Sequence, residues 1–234
     1  MKAIIDVHSH ILPGVDDGSR SWDESRWMLE CAYRQGIRAI IATPHYSPRQ
    51  ETDRLMERAE CLREEAHSLD KEFEIYLGQE ILYYDSLTED LKAGRALTMA
   101  GSRHVLVEFM PETAYGKIYQ AIRKLLMAGY YPIAAHVERY RALKEAGRMD
   151  ELRGLGCLLQ MNYRSLEGGL FDREARWCRR QVKDGKIDLL GTDAHRKDWR
   201  TPETGESLKW LEHHADRETV MKMTRLNALT IIGD

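Results

Sequence analysis

The chain has 234 residues, with 35 Lys and Arg against 38 Asp and Glu for a formal net charge of -3, and that length buries the core of one α/β barrel or doubly wound domain. The charge balance leaves no basic excess to hold a phosphodiester backbone, which argues against a nucleic-acid partner. No stretch approaches the roughly 18 apolar residues of a membrane span, and the start, Ala3-Ile-Ile-Asp-Val7, lacks the regions of a secretory leader, so a single cytoplasmic domain over residues 1–234, with no membrane insertion, is expected.

Apolar runs that read as strands begin near Ala3, Arg38, Phe73, His104, Pro132, Cys157 and Ile187. Between them, helical patterns cover about 22–35, 51–70, 116–129, 138–147, 171–184 and 204–215. The first helix is the best marked. Met28, Leu29, Ala32 and Tyr33 fall at helical spacing, Ser21 stands as N-cap with Glu24 three residues on, and Gly36 occupies the C-cap position. The stretch 81–101 fits neither period. Such alternation implies parallel strands covered by helices. Seven strands are one short of the usual eight-stranded barrel, so the expected fold is α/β, a distorted (β/α)7 TIM-like barrel. Residues 46–53 and 162–169 are long enough to form rims.

The polar residues at the strand ends carry the chemistry. His8 and His10 end the first strand, His45 the second, Glu80 the third, Glu108 the fourth, His136 the fifth, and Asp193 with His195 the seventh; the sixth contributes none. The pair Asp16-Asp17 adds another carboxylate from the first loop. A His-x-His pair alone is weak, because alternate strand residues face one way whether or not they bind anything. Ligand types recurring at successive strand ends are another matter, since this is where parallel α/β folds put their sites and buried polar groups without partners are costly. Imidazole mixed with carboxylate suits Zn²⁺, Mn²⁺ or Fe²⁺ better than Mg²⁺ alone. The set exceeds what one ion needs, so two or three divalent ions are expected. His67, His104, His213 and His214 lack such company and read as surface or core histidines. Cys31, Cys61, Cys157 and Cys178 are scattered and read as reduced, mostly buried thiols. None has the arginine six positions on that a cysteine phosphatase uses: Ile37, His67, Tyr163 and Asp184 stand there. Phosphate chemistry, if present, comes from metal.

The blocks His8-Ser-His10, Thr43-Pro-His45, Gly78-Gln-Glu80, His136-Val-Glu-Arg139 and Thr192-Asp-Ala-His195, in this order, resemble the PHP (polymerase and histidinol phosphatase) superfamily. Within it, the opening Asp6-Val-His-Ser-His-Ile-Leu-Pro-Gly-Val-Asp-Asp-Gly-Ser19 is similar to the bacterial manganese-dependent protein-tyrosine phosphatases encoded with capsule and exopolysaccharide genes. The resemblance implies a distorted seven-stranded barrel with a trinuclear centre, in which His8, His10, Glu80 and Asp193 hold one ion, a bridging Glu80 with Glu108 and His136 a second, and Asp17, His45 and His195 a third. Mn²⁺ is the implied metal, with Fe, Zn or Mg as alternatives. Arg139 and Arg200 match phosphate-binding positions, and Asp17 is a candidate proton donor. Two departures, Val137 for a usual proline and Thr192 for a usual serine, spare the ligands. The implied substrate is phosphotyrosine on a membrane-associated autophosphorylating kinase that controls polysaccharide export. The alternatives are a small-molecule phosphatase, such as histidinol phosphatase, and a non-catalytic PHP binding module. On the phosphatase reading, the cations would lower the pKa of water so that hydroxide attacks phosphorus in line, and no protein nucleophile is required.

Overall fold

The computed structural model describes residues 3–169 and 171–233. In chain order the elements are β1 (Ile4–Ser9), α1 (Trp22–Arg34), β2 (Ile37–Ala42), α2 (Thr52–Leu69), β3 (Glu74–Leu77), β4 (Glu80–Leu82), α3 (Leu87–Lys92), β5 (His104–Glu108), α4 (Tyr115–Met127), β6 (Tyr131–Ala134), α5 (Arg148–Gly154), β7 (Leu158–Asn162), α6 (Arg173–Lys183), β8 (Leu189–Gly191), α7 (Gly205–His214), α8 (Arg217–Met221) and α9 (Asn227–Ile232). Every described strand pairing is parallel, in two sheets ordered β1-β2-β3 and β4-β5-β6-β7-β8. The apolar strands are buried on both faces, as parallel sheets require. One face, with Ile5, Val7, Ile41, Leu106, Ile133 and Leu189, packs with Met99 and with Ala228 and Ile231 of α9. The other, with Ile4, Ile40, Val105 and Val107, meets Met28, Leu62, Ile122 and Leu125 of the covering helices. Each such side chain contributes about 1.5–3 kcal/mol on burial.

Among the described residues the expected seven strands are eight segments in two sheets, because the third breaks at Gly78-Gln79: β3 pairs with β2 and β4 with β5. Gln79 holds the break, its Oε1 accepting from Leu97 N at 2.8 Å and its Nε2 donating to Gln50 Oε1 at 3.0 Å. The sheets meet through two isolated bridges, His45 with Glu80 and Ser9 with Ala194. The helix expected over 138–147 is absent. That segment forms 3-10 turns at Val137–Arg139 and Arg141–Lys144, and the helix begins only at Arg148. Tertiary contacts override propensity there: Tyr140 is fully buried and accepts a hydrogen bond from Phe109 N at 3.1 Å. The ambiguous stretch 81–101 holds the end of β4, then α3 and a 3-10 turn at Met99–Gly101. Cys31, Cys157 and Cys178 are buried free thiols, and Cys61 is exposed. Among the described residues no helix is long and apolar enough to cross a membrane.

α1 follows its sequence signals. Ser21 Oγ accepts from Glu24 N at 3.3 Å, and Gly36, just past the cap residue Gln35, takes φ 88°. The Glu24 carboxylate accepts from Arg20 N at 2.9 Å, from the Arg20 guanidinium at 2.8 Å and from Lys197 N at 3.3 Å, joining the loops after β1 and β8. The hydrogen bond from Arg20 holds Glu24 down at about 2, from an ordinary 4.5. A depressed carboxyl pKa contributes stability that is present above the ordinary value and lost as pH falls toward the depressed one. Glu24→Gln is therefore expected to lower the melting temperature at pH 6 and to leave that deficit smaller at pH 2.5; an equal deficit at both would exclude the linkage.

Candidate metal centre

The loops at the C-terminal ends of the strands bring all nine expected ligands together. His8, His10, Glu80 and Asp193 form one group with donor atoms within 4.8 Å of one another, His10, Asp17, His45 and His195 a second, and His45, Glu80 and Glu108 a third. Glu80 is at the middle: its Oε2 lies 3.3, 3.2 and 3.1 Å from His8 Nε2, His10 Nε2 and His45 Nδ1, and its Oε1 lies 2.7 Å from His136 Nε2. The grouping differs from the implied one in that His45 joins the Glu80–Glu108 group and His10 is shared. His136 nevertheless remains beside both carboxylates, its Nε2 3.3 Å from Glu108 Oε1.

Three rings are tethered from behind. His8 Nδ1 is 3.1 Å from Gln160 Oε1, His10 Nδ1 is 2.7 Å from Asp16 Oδ2, and His195 Nδ1 is 2.8 Å from the carbonyl of Asp193. In each case the outer nitrogen donates to an acceptor, which leaves the Nε2 lone pair directed inward; this is the arrangement that orients imidazole toward metals. His8 Nε2 and His10 Nε2 are only 3.3 Å apart, with Asp193 Oδ1 3.6 and 3.5 Å from them. A buried set of facing acceptors needs positive charge among them. Burial disfavours a charged ring at His10 and His136, yet their carboxylate neighbours carry His10 well above its ordinary value and His136 to about 9. Burial and the charge of His10 push His195 down to about 4. Divalent cations meet the same demand by displacing those protons, so the donor set fits metal.

Asp193 divides the site into two sides. Its Oδ1 faces the histidines. Its Oδ2 accepts from Arg139 Nη2, from Arg200 Nη1 at 3.3 Å and from Asn162 Nδ2 at 2.9 Å. Burial by itself raises the carboxyl pKa, but His10, His8 and Arg139 more than reverse it and keep Asp193 ionised. Both guanidiniums, about 30% and 29% exposed, border a cavity of about 230 Å³ with Arg164 and Ser165. The backbone is strained here: His136, Asp193 and Arg200 adopt φ of 31, 51 and 50°, a region that costs non-glycine residues of order 1–3 kcal/mol. Two glycines admit the close packing. A Cβ at Gly191 would lie 2.7 Å from His8 Cβ, and one at Gly18 would lie 2.2 Å from the His10 carbonyl oxygen.

The sixth strand supplies none of the expected ligands but holds those of its neighbours. β7 supplies Gln160, whose Oε1 also accepts from His136 N at 2.7 Å, and Asn162 on the same face. Asp16, which also accepts from His45 N at 2.9 Å, anchors a ring while its neighbour Asp17 faces the cluster. Asp6 takes Thr192 N at 2.8 Å and the Thr192 hydroxyl at 2.5 Å. The signal for the amides was two polar residues at i and i+2 in the otherwise apolar run Leu158-Leu-Gln-Met-Asn162. Gln160→Met is expected to weaken metal binding by about 10–100-fold with the fold intact, which titration calorimetry of the metal-stripped protein measures. His67 pairs with Glu74, His104 is buried beside Ser102, and His213 and His214 bond their own helix. Tyr163, in the segment 162–169, is fully buried.

The profile of the CpsB/CapC capsular polysaccharide synthesis family matches residues 4–233. The tyrosine-protein phosphatase CpsB of Streptococcus agalactiae is 31% identical over 98% of both chains, and the tyrosine-protein phosphatase YwqE of Bacillus subtilis is 32% identical over 94% of this chain and 89% of its own. A crystal structure reported for YwqE of Bacillus subtilis and CpsB of Streptococcus pneumoniae, described as unique metal-dependent tyrosine phosphatases, superposes with a TM-score of 0.84 at 30% identity, covering 94% of this chain and 91% of that one. A match over almost the whole length, in sequence and in fold, makes this chain a member of the CpsB/CapC capsular polysaccharide synthesis family.

Proposed function

We propose that the chain is a metal-dependent protein-tyrosine phosphatase whose substrate is phosphotyrosine on a membrane-associated, autophosphorylated bacterial tyrosine kinase controlling capsule or exopolysaccharide synthesis. The observation that carries this reading is the set of inward-facing imidazole lone pairs and carboxylates with two arginines on the outer oxygen of Asp193. In it, His8, His10, Asp17, His45, Glu80, Glu108, His136, Asp193 and His195 hold two or three divalent ions, Mn²⁺ in first place and Fe, Zn or Mg as alternatives. When bound, the ions lower the pKa of water toward neutrality and neutralise phosphoryl charge. Arg139 and Arg200 grip the non-bridging oxygens and align phosphorus for in-line displacement. The leaving tyrosinate, whose conjugate acid has a pKa near about 10, needs little help; a water, or Asp17, about half exposed and 3.5 Å from His45 Nε2, relaying a proton from solvent, would neutralise it.

The same reading treats β3 and β4 as one interrupted strand and the two bridged sheets as a distorted (β/α)7 TIM-like barrel, one domain over residues 1–234. The family match over 4–233 and a buried apolar cluster running from Ile4 to Met223 support it. A cytoplasmic location follows from the substrate, since ATP-dependent kinases write phosphotyrosine there.

The test is turnover of a phosphotyrosyl peptide and of histidinol phosphate by chelator-stripped protein reloaded with Mn²⁺ or Mg²⁺. Metal-dependent preference for the peptide supports the phosphatase; preference for the metabolite, or no turnover of either, overturns it. Chelation is also expected to lower the melting temperature. Mn²⁺ restored to a hundred times its dissociation constant contributes about 2.7 kcal/mol, roughly 5–10 °C for a chain of this size, and calorimetry that finds no shift would contradict metal binding.

A further inference from the structure

Beside the metal centre, β4 and β5 run on into a groove of about 690 Å³ lined by Leu82, Tyr83, Phe109 and Met110, with Lys117 and Lys124 of α4 along one wall. It begins one residue past the candidate ligand Glu108: Leu82 pairs in register with Glu108, and Tyr83 N donates to the Glu108 carbonyl at 2.9 Å. The Tyr83 and Phe109 rings pack at 5.8 Å, and Phe109 packs on Tyr140, which in turn packs on His136 at 6.0 Å. Aromatic contact is thus continuous from the centre into the groove. Leu82 and Met110, both in the lining, are 47% and 60% exposed, and exposed apolar side chains sharing one groove point to a binding surface. The charged lining is two lysines against one carboxylate, Asp85, and Lys124 also donates to the Asp85 carbonyl.

We propose that this groove seats the peptide flanking the phosphotyrosine, an extended segment with an apolar or aromatic residue over Leu82 and Met110 and acidic residues against Lys117 and Lys124. The inference rests on the phosphatase reading and names the substrate class that reading left open. Apolar floor and basic wall together select an acidic-aromatic sequence, and the shared strand ends place it beside Glu108. A small aryl phosphate has no flanking residues to seat in the groove.

The experiment compares kcat/KM of the Mn²⁺-loaded protein and its K117E/K124E variant for three substrates: a phosphotyrosyl peptide with acidic flanks, one with neutral flanks, and para-nitrophenyl phosphate. The variant is expected to lose about tenfold on the acidic peptide, equivalent to about 1.4 kcal/mol, and less than twofold on para-nitrophenyl phosphate, with metal content unchanged. A second variant, M110S, is expected to lose on both peptides and not on the small substrate. Equal losses on all three substrates, no loss on the acidic peptide, or a dimer of the native protein that K117E/K124E dissociates would overturn the groove. If the native protein hydrolyses para-nitrophenyl phosphate but neither peptide, the groove fails while the metal chemistry stands; if it hydrolyses none, the phosphatase reading fails and the groove with it.

Discussion

Glu80→Gln is expected to strip the centre of metal and to cut turnover of a phosphotyrosyl peptide by at least about 10³-fold, which corresponds to about 4 kcal/mol of transition-state stabilisation. Glu80 is 1% exposed, and its two oxygens reach four of the five histidines of the cluster. Burial alone raises its pKa, and the surrounding His8, His10 and His136 overcome that, holding it well below the ordinary carboxylate range. Glutamine keeps the shape and removes the charge, while turning an N–H₂ toward rings whose inner nitrogens should accept. Replacing one of several ligands at the edge of such a cluster leaves the others to compensate; replacing the shared one does not. Metal analysis and steady-state kinetics on the same preparation decide it. A variant that keeps its full metal content and turnover within tenfold would show that Glu80 is not shared between ions.

Arg139→Met is expected to behave differently: full metal content, a melting temperature close to the native one, and kcat/KM lower by about 10²–10³-fold. The guanidinium rests on Asp193 Oδ2 but is not itself a ligand, and Asn162 and Arg200 remain on that oxygen when it is gone. On the proposed reading, what is lost is a planar donor pair for the phosphoryl oxygens. Arg139→Lys should recover only a small part, because an ammonium restores charge without the paired geometry. Arg141, 77% exposed and paired with Glu112, supplies the control: its alanine variant should keep native kinetics. A fall in metal content parallel to the fall in activity would recast Arg139 as a support for Asp193 alone.

Most of the architecture was legible because apolar strands and amphipathic helices alternate with little interruption. The strand starts read near Arg38, His104 and Pro132 lie within a residue of β2, β5 and β6. All nine ligand candidates converge for the same reason, since parallel strands deliver their ends to one rim. The misses have physical causes. Nothing local announces that the third strand changes sheets at Gly78-Gln79, because the Gln79 partners are Gln50 and Leu97, far away in the chain. The helix pattern at 138–147 was real as a pattern, but Glu138 accepts from Asn162 N and Ser165 Oγ while Tyr140 fills the core, and neither can be met from a regular helix. Gln160 and Asn162 carry no ligand signal of their own; their work is to hold the ligands. The left-handed backbone of His136, Asp193 and Arg200 has no sequence mark, as glycine would ordinarily signal it.

The two isolated bridges give the site a second meaning. Of their four residues, His45 and Glu80 are candidate ligands, while Ser9 lies between His8 and His10, and Ala194 between Asp193 and His195. Both seams of the molecule therefore pass through its chemistry. The cations would work as rivets, drawing opposite sheet edges onto common charge, so the molecule closes at the place where it reacts. Mutational drift at these ligands is then opposed twice, once by lost catalysis and once by a loosened seam.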